Sequence, residues 1–214
     1  MIDSKKLAEM RVEYISQPLT QEDVHEDPMM QFAQWFKEAL DAGTHEPNAM
    51  TLATSNNGVP SARIVLLKGA TSRGFTFYTN YQSRKADEMK INPNVALVFF
   101  WHELARQVRI EGLVQKVSKQ ESEDYFHIRP KASQISATIS PQSRVIGSKT
   151  DLEEMHHKLS EEFSDKEVPL PDYWGGYLVV PSRMEFWQGR ENRFHDRIQY
   201  RLVDGQWIIE RLAP

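Results

Sequence analysis

The 214-residue chain contains no cysteine, which excludes disulfides, thiolate metal sites and a cysteine nucleophile and fits a cytoplasmic home. It also lacks long apolar runs. The longest, Val95 to Trp101, is seven residues, against roughly 18 for a membrane span, and charge begins at Asp3, leaving no signal-peptide core. None of the ten glycines forms G-x-G-x-x-G or G-x-x-x-x-G-K, so a Rossmann fingerprint and a P-loop are both missing. No H-E-x-x-H spacing occurs, and no metal is expected.

Acidic residues are missing locally. From Pro47 to Ala86, 40 residues carry no Asp or Glu but hold Arg63, Lys68, Arg73, Arg84 and Lys85. From Tyr125 to Thr150, 26 residues are again acid-free and hold Arg129, Lys131, Arg144 and Lys149. Nine of the 26 bases and none of the 30 acids therefore lie in two windows of a chain whose net charge is −4. Two anion sites explain this; solvated basic loops are the plainer alternative. Nucleic-acid binding would need an extended positive surface, which the net charge disfavours.

What is present suits one core. The chain is 40% hydrophobic and 10% aromatic, which predicts a single domain over 1–214 with an N-terminal helical arm over about 1–20. Residues 3–15 read as a short charged helix. Asp27-Pro28 is an N-cap with Pro at the first helical position, and Met29, Phe32, Phe36 and Leu40 mark its apolar stripe up to Gly43. Strands are expected over 49–54, 63–68, 75–79, 95–101, 107–117, 176–180, 183–188, 198–203 and 207–211, with hairpin turns at Asn57-Gly58 and Asp204-Gly205. Helices are expected over 83–91, 118–128 and 150–163, the last opening with a Thr150-x-x-Glu153 capping box. Many antiparallel strands and few helices predict a mainly β protein, a small barrel with helices packed outside.

Tyr78 to Lys85 leaves a strand and enters a helix. The unpaired N–H groups there, the Thr79 and Ser83 hydroxyls and the adjacent Arg84 and Lys85 suit a phosphate clamp, since cations are misplaced at a helix N-terminus unless an anion compensates them; the plainer alternative is an exposed basic first turn. Arg63 and Lys68 end one strand with opposite parity, which fits two neighbouring ligands. Tyr125, Arg129 and Ser133 recur every four residues; if the helical turn continues past Pro130 they face one way and suit a second phosphate, the alternative being a surface stripe. Near the C-terminus Trp187 is placed to stack on a flat ring, and Arg193, His195 and Arg197 would share one face of a strand.

The strings R-I-V-L-L-K (63–68), F-Y-T-N (77–80), S-R-K (83–85), W-H-x-L-x-R-Q-V (101–108), Y-F-H-x-R-P-x-x-S-Q-I (125–135), W-G-G (174–176), E-F-W-Q-G (185–189), R-F-H-D-R (193–197) and terminal R-L-A-P closely resemble the pyridoxine/pyridoxamine 5′-phosphate oxidases, in order over nearly the whole chain. The resemblance implies an FMN-binding split β-barrel homodimer with FMN at the subunit interface. It implies oxidation of pyridoxine or pyridoxamine 5′-phosphate to pyridoxal 5′-phosphate by O2, giving H2O2 and, from the amine, ammonia. By motif position FMN is expected at Arg63, Ile64, Val65, Leu66, Lys68, Tyr78, Thr79, Ser83, Arg84, Lys85, Gln107, Gln142, Ser143, Trp187 and Arg197. The substrate phosphate is expected at Lys68, Tyr125, Arg129 and Ser133. Arg193 would cover the pyridine ring and His195 would bond its hydroxyl, as the two catalytic residues, with Arg11 and Tyr14 in an N-terminal lid. Glu46 stands where many relatives carry Asp. The rival reading is a flavin or pyridoxal-phosphate carrier without turnover.

Overall fold

The computed structural model describes residues 3–10, 13, 14 and 16–214. Its helices are α1 (Ser4–Glu9), α2 (Pro28–Asp41), α3 (Arg84–Ile91), α4 (Lys119–Ile128), α5 (Lys131–Ile139) and α6 (Lys149–Glu162). Its strands are β1 (Ala49–Asn56), β2 (Val59–Leu66), β3 (Gly69–Thr71), β4 (Gly74–Asn80), β5 (Asn94–Trp101), β6 (Arg106–Lys116), β7 (Trp174–Gln188), β8 (Asp196–Val203) and β9 (Gln206–Arg211). The strand order is β2-β1-β5-β6-β7-β4-β3, with β8 on β7 and β9 on β8. Among the described residues no helix is long and apolar enough to cross a membrane.

The chain divides into two compact units, one of Met1–Pro47, Val98–Ile110 and Arg183–Pro214, the other of Asn48–Leu97 and Glu111–Ser182. In the first, the Asp27 side chain accepts the Met29 N–H at 2.8 Å and starts α2 with Pro28 at its N-terminus. That helix buries Phe32, Trp35 and Ala39. Phe32 packs 5.2 Å from Phe99, and Trp35 meets Phe186 edge-on at 5.2 Å. Each such ring contributes about 1.5–3 kcal/mol when fully buried. The polar edges of the aromatics are satisfied: Trp101 Nε1 donates to Pro47 O at 3.0 Å, and the Tyr200 hydroxyl donates to His25 O at 2.6 Å. The β8–β9 hairpin closes at Asp204-Gly205, whose φ values of 49° and 79° suit a two-residue turn.

In the second unit β1 pairs antiparallel with β2 from Ala49↔Leu66 to Asn56↔Val59, joined by Asn57-Gly58 with φ 49° and 79°. Strand β4 pairs with β7 from Phe75↔Val179 to Asn80↔Trp174. Helices α4 and α5 contribute Phe126 and Ile135 to a buried cluster with Val168 and Trp174, and Leu159 of α6 packs against it.

Several boundaries differ from the sequence-based expectation. Helix α1 stops at Glu9, because Met10 is already extended. Helix α6 is capped by Ser148, whose hydroxyl accepts the Thr150 N–H at 3.0 Å, while Glu153 pairs with Lys149 at 2.9 Å; the expected Thr150–Glu153 box is not formed. A capping box forms instead between Ser118 and Glu121. The two C-terminal strands expected over 176–180 and 183–188 are one, β7, since the fixed φ of Pro181 is compatible with extended chain. Strand β2 ends at Leu66, leaving Lys68 beyond it. Arg129 is extended (φ −72°, ψ 150°), as a residue before proline must be, so the chain turns between α4 and α5.

Candidate active site

A cavity of about 450 Å³ in the second unit is lined by Ile64, Val65, Leu66 and Lys68 from β2 and its exit, Tyr78 and Thr79 from β4, Lys85 of α3, Tyr125 of α4, Arg129, Pro130, Ser133 of α5, Gln142 and Trp174. Helix α3 enters it through an N-terminus whose cap residue, Ser83, is fully buried yet makes no side-chain capping bond. Its first N–H groups therefore keep their affinity for an anion. The Lys85 ammonium donates to Gln142 Oε1 at 2.8 Å, Thr79 Oγ1 at 3.1 Å and Ser83 Oγ at 3.4 Å. All three acceptors are neutral. Burial, and then the nearby Arg63 cation, push the Lys85 pKa down to about 8, with Glu88 acting in the opposite direction.

Across the cavity three rings lie nearly parallel. Tyr78 and Tyr125 stack at 3.9 Å and 18°, and Tyr125 and Trp174 are 6.2 Å apart at 5°. The Arg129 guanidinium sits 4.6 Å over the Trp174 ring, a cation–π contact. Its Nη1 is buried without a hydrogen-bond partner, and burial lowers its pKa. Gly176 makes the stack possible: a Cβ there would lie 2.8 Å from Tyr78 Cε1 and 2.7 Å from Val117 Cγ2. A buried polar atom with no partner is costly, and a guanidinium on an aromatic shelf offers it to a ligand oxygen.

In the first unit a second cavity, about 650 Å³, is lined by Met10, Glu13, Tyr14, Arg190, Asn192, Arg193 and His195. Asn192 and Arg193 have φ of 55° and 62°, a left-handed pair of non-glycine residues, which marks stored strain. His195 Nδ1 accepts the Arg190 backbone N–H at 3.0 Å, so a neutral ring carries its hydrogen on Nε2. Burial, then Arg193, lower the His195 pKa. The ring lies 4.7 Å from Trp187, and Tyr14 meets Trp187 edge-on at 5.7 Å. Gly189 admits Tyr14, since a Cβ would stand 2.7 Å from its Cγ.

Residues 36–155 match the family model described as pyridoxamine 5′-phosphate oxidase, and residues 174–214 match the pyridoxine 5′-phosphate oxidase C-terminal dimerisation region. The chain belongs to the pyridoxine/pyridoxamine 5′-phosphate oxidase family. A protein of Salinibacter ruber with that name is 55% identical over 98% of this chain and 99% of its own, and one of Leptospira interrogans is 52% identical over 98% and 99%. Among solved structures, PhzG of Burkholderia lata in complex with tetrahydrophenazine-1-carboxylic acid superimposes with a TM-score of 0.88 at 25% identity, over 93% of this chain and 99% of that one. An FMN-binding protein of Nostoc punctiforme shares the fold at a TM-score of 0.65 and 18% identity. The split-barrel class expected from the sequence is the fold observed.

Within this family pattern the second unit's cavity brings together Ile64, Val65, Leu66, Lys68, Tyr78, Thr79, Lys85 and Gln142 with Tyr125, Arg129 and Ser133. Arg63 and Arg84 do not line it. Arg63 donates to Thr54, Ser61 and Glu88, and Arg84 donates through Nε to Glu88 at 2.8 Å. Ser143 is exposed in the following turn with φ 69°. Gln107, Trp187 and Arg197 lie in the first unit; Arg197 Nε donates to the buried Glu185 at 2.8 Å. Arg193, His195 and Arg197 do not share a strand face, because β8 starts only at Asp196 and Arg193 sits in a left-handed turn. Arg11 lies outside the described residues. Sequence reasoning missed the lining role of Trp174, although the W-G-G string contained it, and of Arg190, Asn192 and Glu13, which carried no periodic signal.

Proposed function

We propose that this chain, as a homodimer, oxidises pyridoxine 5′-phosphate and pyridoxamine 5′-phosphate to pyridoxal 5′-phosphate with FMN, passing the electrons to O2 to give H2O2. The alcohol loses two hydrogens to become the aldehyde; the amine loses two hydrogens to become an imine, which water hydrolyses to the aldehyde and ammonia. The reading carries a place in vitamin B6 biosynthesis and salvage and, with no cysteine to protect, in the cytoplasm. The observation that carries it is one cavity that holds Lys68, Lys85 and Arg129 around three stacked rings.

The residues fit FMN. Lys85, Thr79 and the α3 N-terminus would take its phosphate, assisted by Ser83, Arg84 and Arg63; Ile64 to Leu66, Gln107, Gln142, Ser143, Trp187 and Arg197 would complete its surroundings. The half-buried ammonium held by neutral oxygens supports this assignment, because a dianion would restore its ordinary pKa. Lys68, Tyr125, Arg129 and Ser133 would take the substrate phosphate, with the orphaned Arg129 Nη1 finding its acceptor there. When bound, FMN supplies the hydride acceptor, and the protein's task is placement.

Arg193 would lie over the pyridine ring and restrict it to one orientation. His195 would donate from Nε2 to the ring hydroxyl oxygen, since Nδ1 is already occupied by the Arg190 N–H. Tyr14 would cover the ring from the N-terminal arm. Purified protein should be yellow, and pyridoxal 5′-phosphate should accumulate when either phosphorylated vitamer is added. Colourless protein that neither takes up FMN nor forms the aldehyde would contradict the assignment.

A further inference from the structure

A buried carboxylate underlies the cations of the second unit. Glu88 lies on α3 one turn beyond Arg84 and is 5% exposed. Its Oε1 accepts from Arg84 Nε at 2.8 Å, and its Oε2 accepts from Arg63 Nη2 at 2.8 Å and from the Thr54 hydroxyl at 2.6 Å. Arg63 Nη1 donates in turn to Thr54 Oγ1 at 2.6 Å, and Arg63 Nη2 to Ser61 Oγ at 2.7 Å. Burial pushes the Glu88 pKa up, but the hydrogen bonds from Thr54, Arg84 and Arg63 outweigh it and leave the group below its ordinary value. It is a carboxylate at neutral pH. Desolvating such a charge is unfavourable unless every donor is in place, so the arrangement is poor as a mere stabilising device.

Its geometry is well suited to another task. Arg84 is held by Nε alone, and among the described residues its two Nη nitrogens have no partner. Arg84 opens α3 and directly precedes Lys85 in the chain, so both side chains belong to the first turn of that helix. Arg63, Arg84 and Lys85 together with Glu88 carry two net positive charges, which matches the charge of about −1.5 to −2 on a phosphate monoester at neutral pH. Without Glu88, three cations would crowd one helix end.

We propose that Glu88 is the positioning residue of the FMN phosphate clamp, fixing the Arg63 and Arg84 guanidiniums beside Lys85 and setting the net charge that the phosphate meets. The inference rests on the reading that this cluster binds FMN. Dissociation constants for FMN and for riboflavin, which has the same ring system without the phosphate, are measured by flavin fluorescence on dialysed protein. For Glu88→Gln, FMN affinity should fall about tenfold or more while riboflavin affinity stays within about twofold, and Glu88→Asp should recover part of the loss. Unchanged FMN affinity, or equal losses for both flavins, would overturn the inference. If the Gln variant does not fold, Glu88→Asp carries the same comparison: a loss confined to FMN supports the proposal, and no loss or an equal loss overturns it. Parent protein that binds no FMN contradicts the reading of the cluster and the inference together; parent protein and Gln variant that bind FMN equally well contradict the inference alone.

Discussion

Arg129 lies 4.6 Å over the ring of Trp174 while its Nη1 is buried without an acceptor. The pair sets a cation over an aromatic face, and on the proposed reading the unpaired nitrogen would donate to a phosphate oxygen of the substrate. A charge-assisted bond from such a group is worth about 1.5–3 kcal/mol, so Arg129→Ala should raise KM for the phosphorylated substrate by about 10- to 100-fold. Arg129→Lys should rescue little, since an ammonium lacks the planar stack. Steady-state kinetics with phosphorylated and unphosphorylated pyridoxine checks this, the second substrate being affected much less.

Lys85 sets a pH window. Its pKa in the unliganded protein is pushed down to about 8 by burial and then by Arg63. The charged form binds phosphate, so FMN affinity should hold below pH 8 and fall as pH rises through it. The effect on folding has the opposite sense. Between pH 8 and the ordinary lysine value of 10.5 the unfolded chain binds more protons, so flavin-free protein should gain stability over that interval. FMN titrations between pH 6.5 and 9.5 test the first statement; Lys85→Met should flatten the profile. Replacing Arg84 and Lys85 together by Ala should give largely colourless protein.

Arg193 and His195 should differ in what they lose. On the proposed reading His195 would donate a single bond from Nε2, so His195→Asn should slow turnover by less than about tenfold. Arg193→Ala removes the group that would hold the ring and should cost about 100-fold in kcat through misplacement. Arg193 has φ 62°, so Arg193→Gly should be about 1 kcal/mol more stable than Arg193→Ala at equal loss of activity. Kinetics and thermal unfolding of the three variants separate these effects, and the reverse order of His195 and Arg193 would refute the ranking.

Gly176→Ala should be destabilising by about 1–3 kcal/mol, because the added methyl would meet Tyr78 Cε1 at 2.8 Å and Val117 Cγ2 at 2.7 Å. Displacing Tyr78 also disturbs the stack on which Arg129 rests. Denaturant unfolding should show the stability loss, and FMN and substrate affinity should fall together. Gly58→Ala has open space around its Cβ and should spare both affinities.

Local chemistry made much of this fold legible. Asn57-Gly58 and Asp204-Gly205 announced their hairpins because a two-residue turn demands positive φ, and Asp27-Pro28 announced α2 because cap and proline act within one turn. The basic windows pointed to residues that line one cavity for a similar reason: Lys68, Lys85 and Arg129 needed no long-range knowledge to stand out. What stayed hidden depended on tertiary partners. Helix α5 follows a proline with no side-chain cap to signal it, and the alternation of Arg193, His195 and Arg197 suggested a strand that a left-handed turn interrupts. Glu88 was a charged residue on a short helix until folding brought Arg63 and Thr54 of neighbouring strands onto it.

The most direct test is oxygen uptake by FMN-loaded protein with pyridoxine 5′-phosphate, pyridoxamine 5′-phosphate and unphosphorylated pyridoxine, with H2O2 measured in parallel. The account predicts uptake and matching peroxide for both phosphorylated vitamers and far slower uptake for pyridoxine. Equal rates with and without the phosphate, or no uptake from flavin-loaded protein, would contradict it.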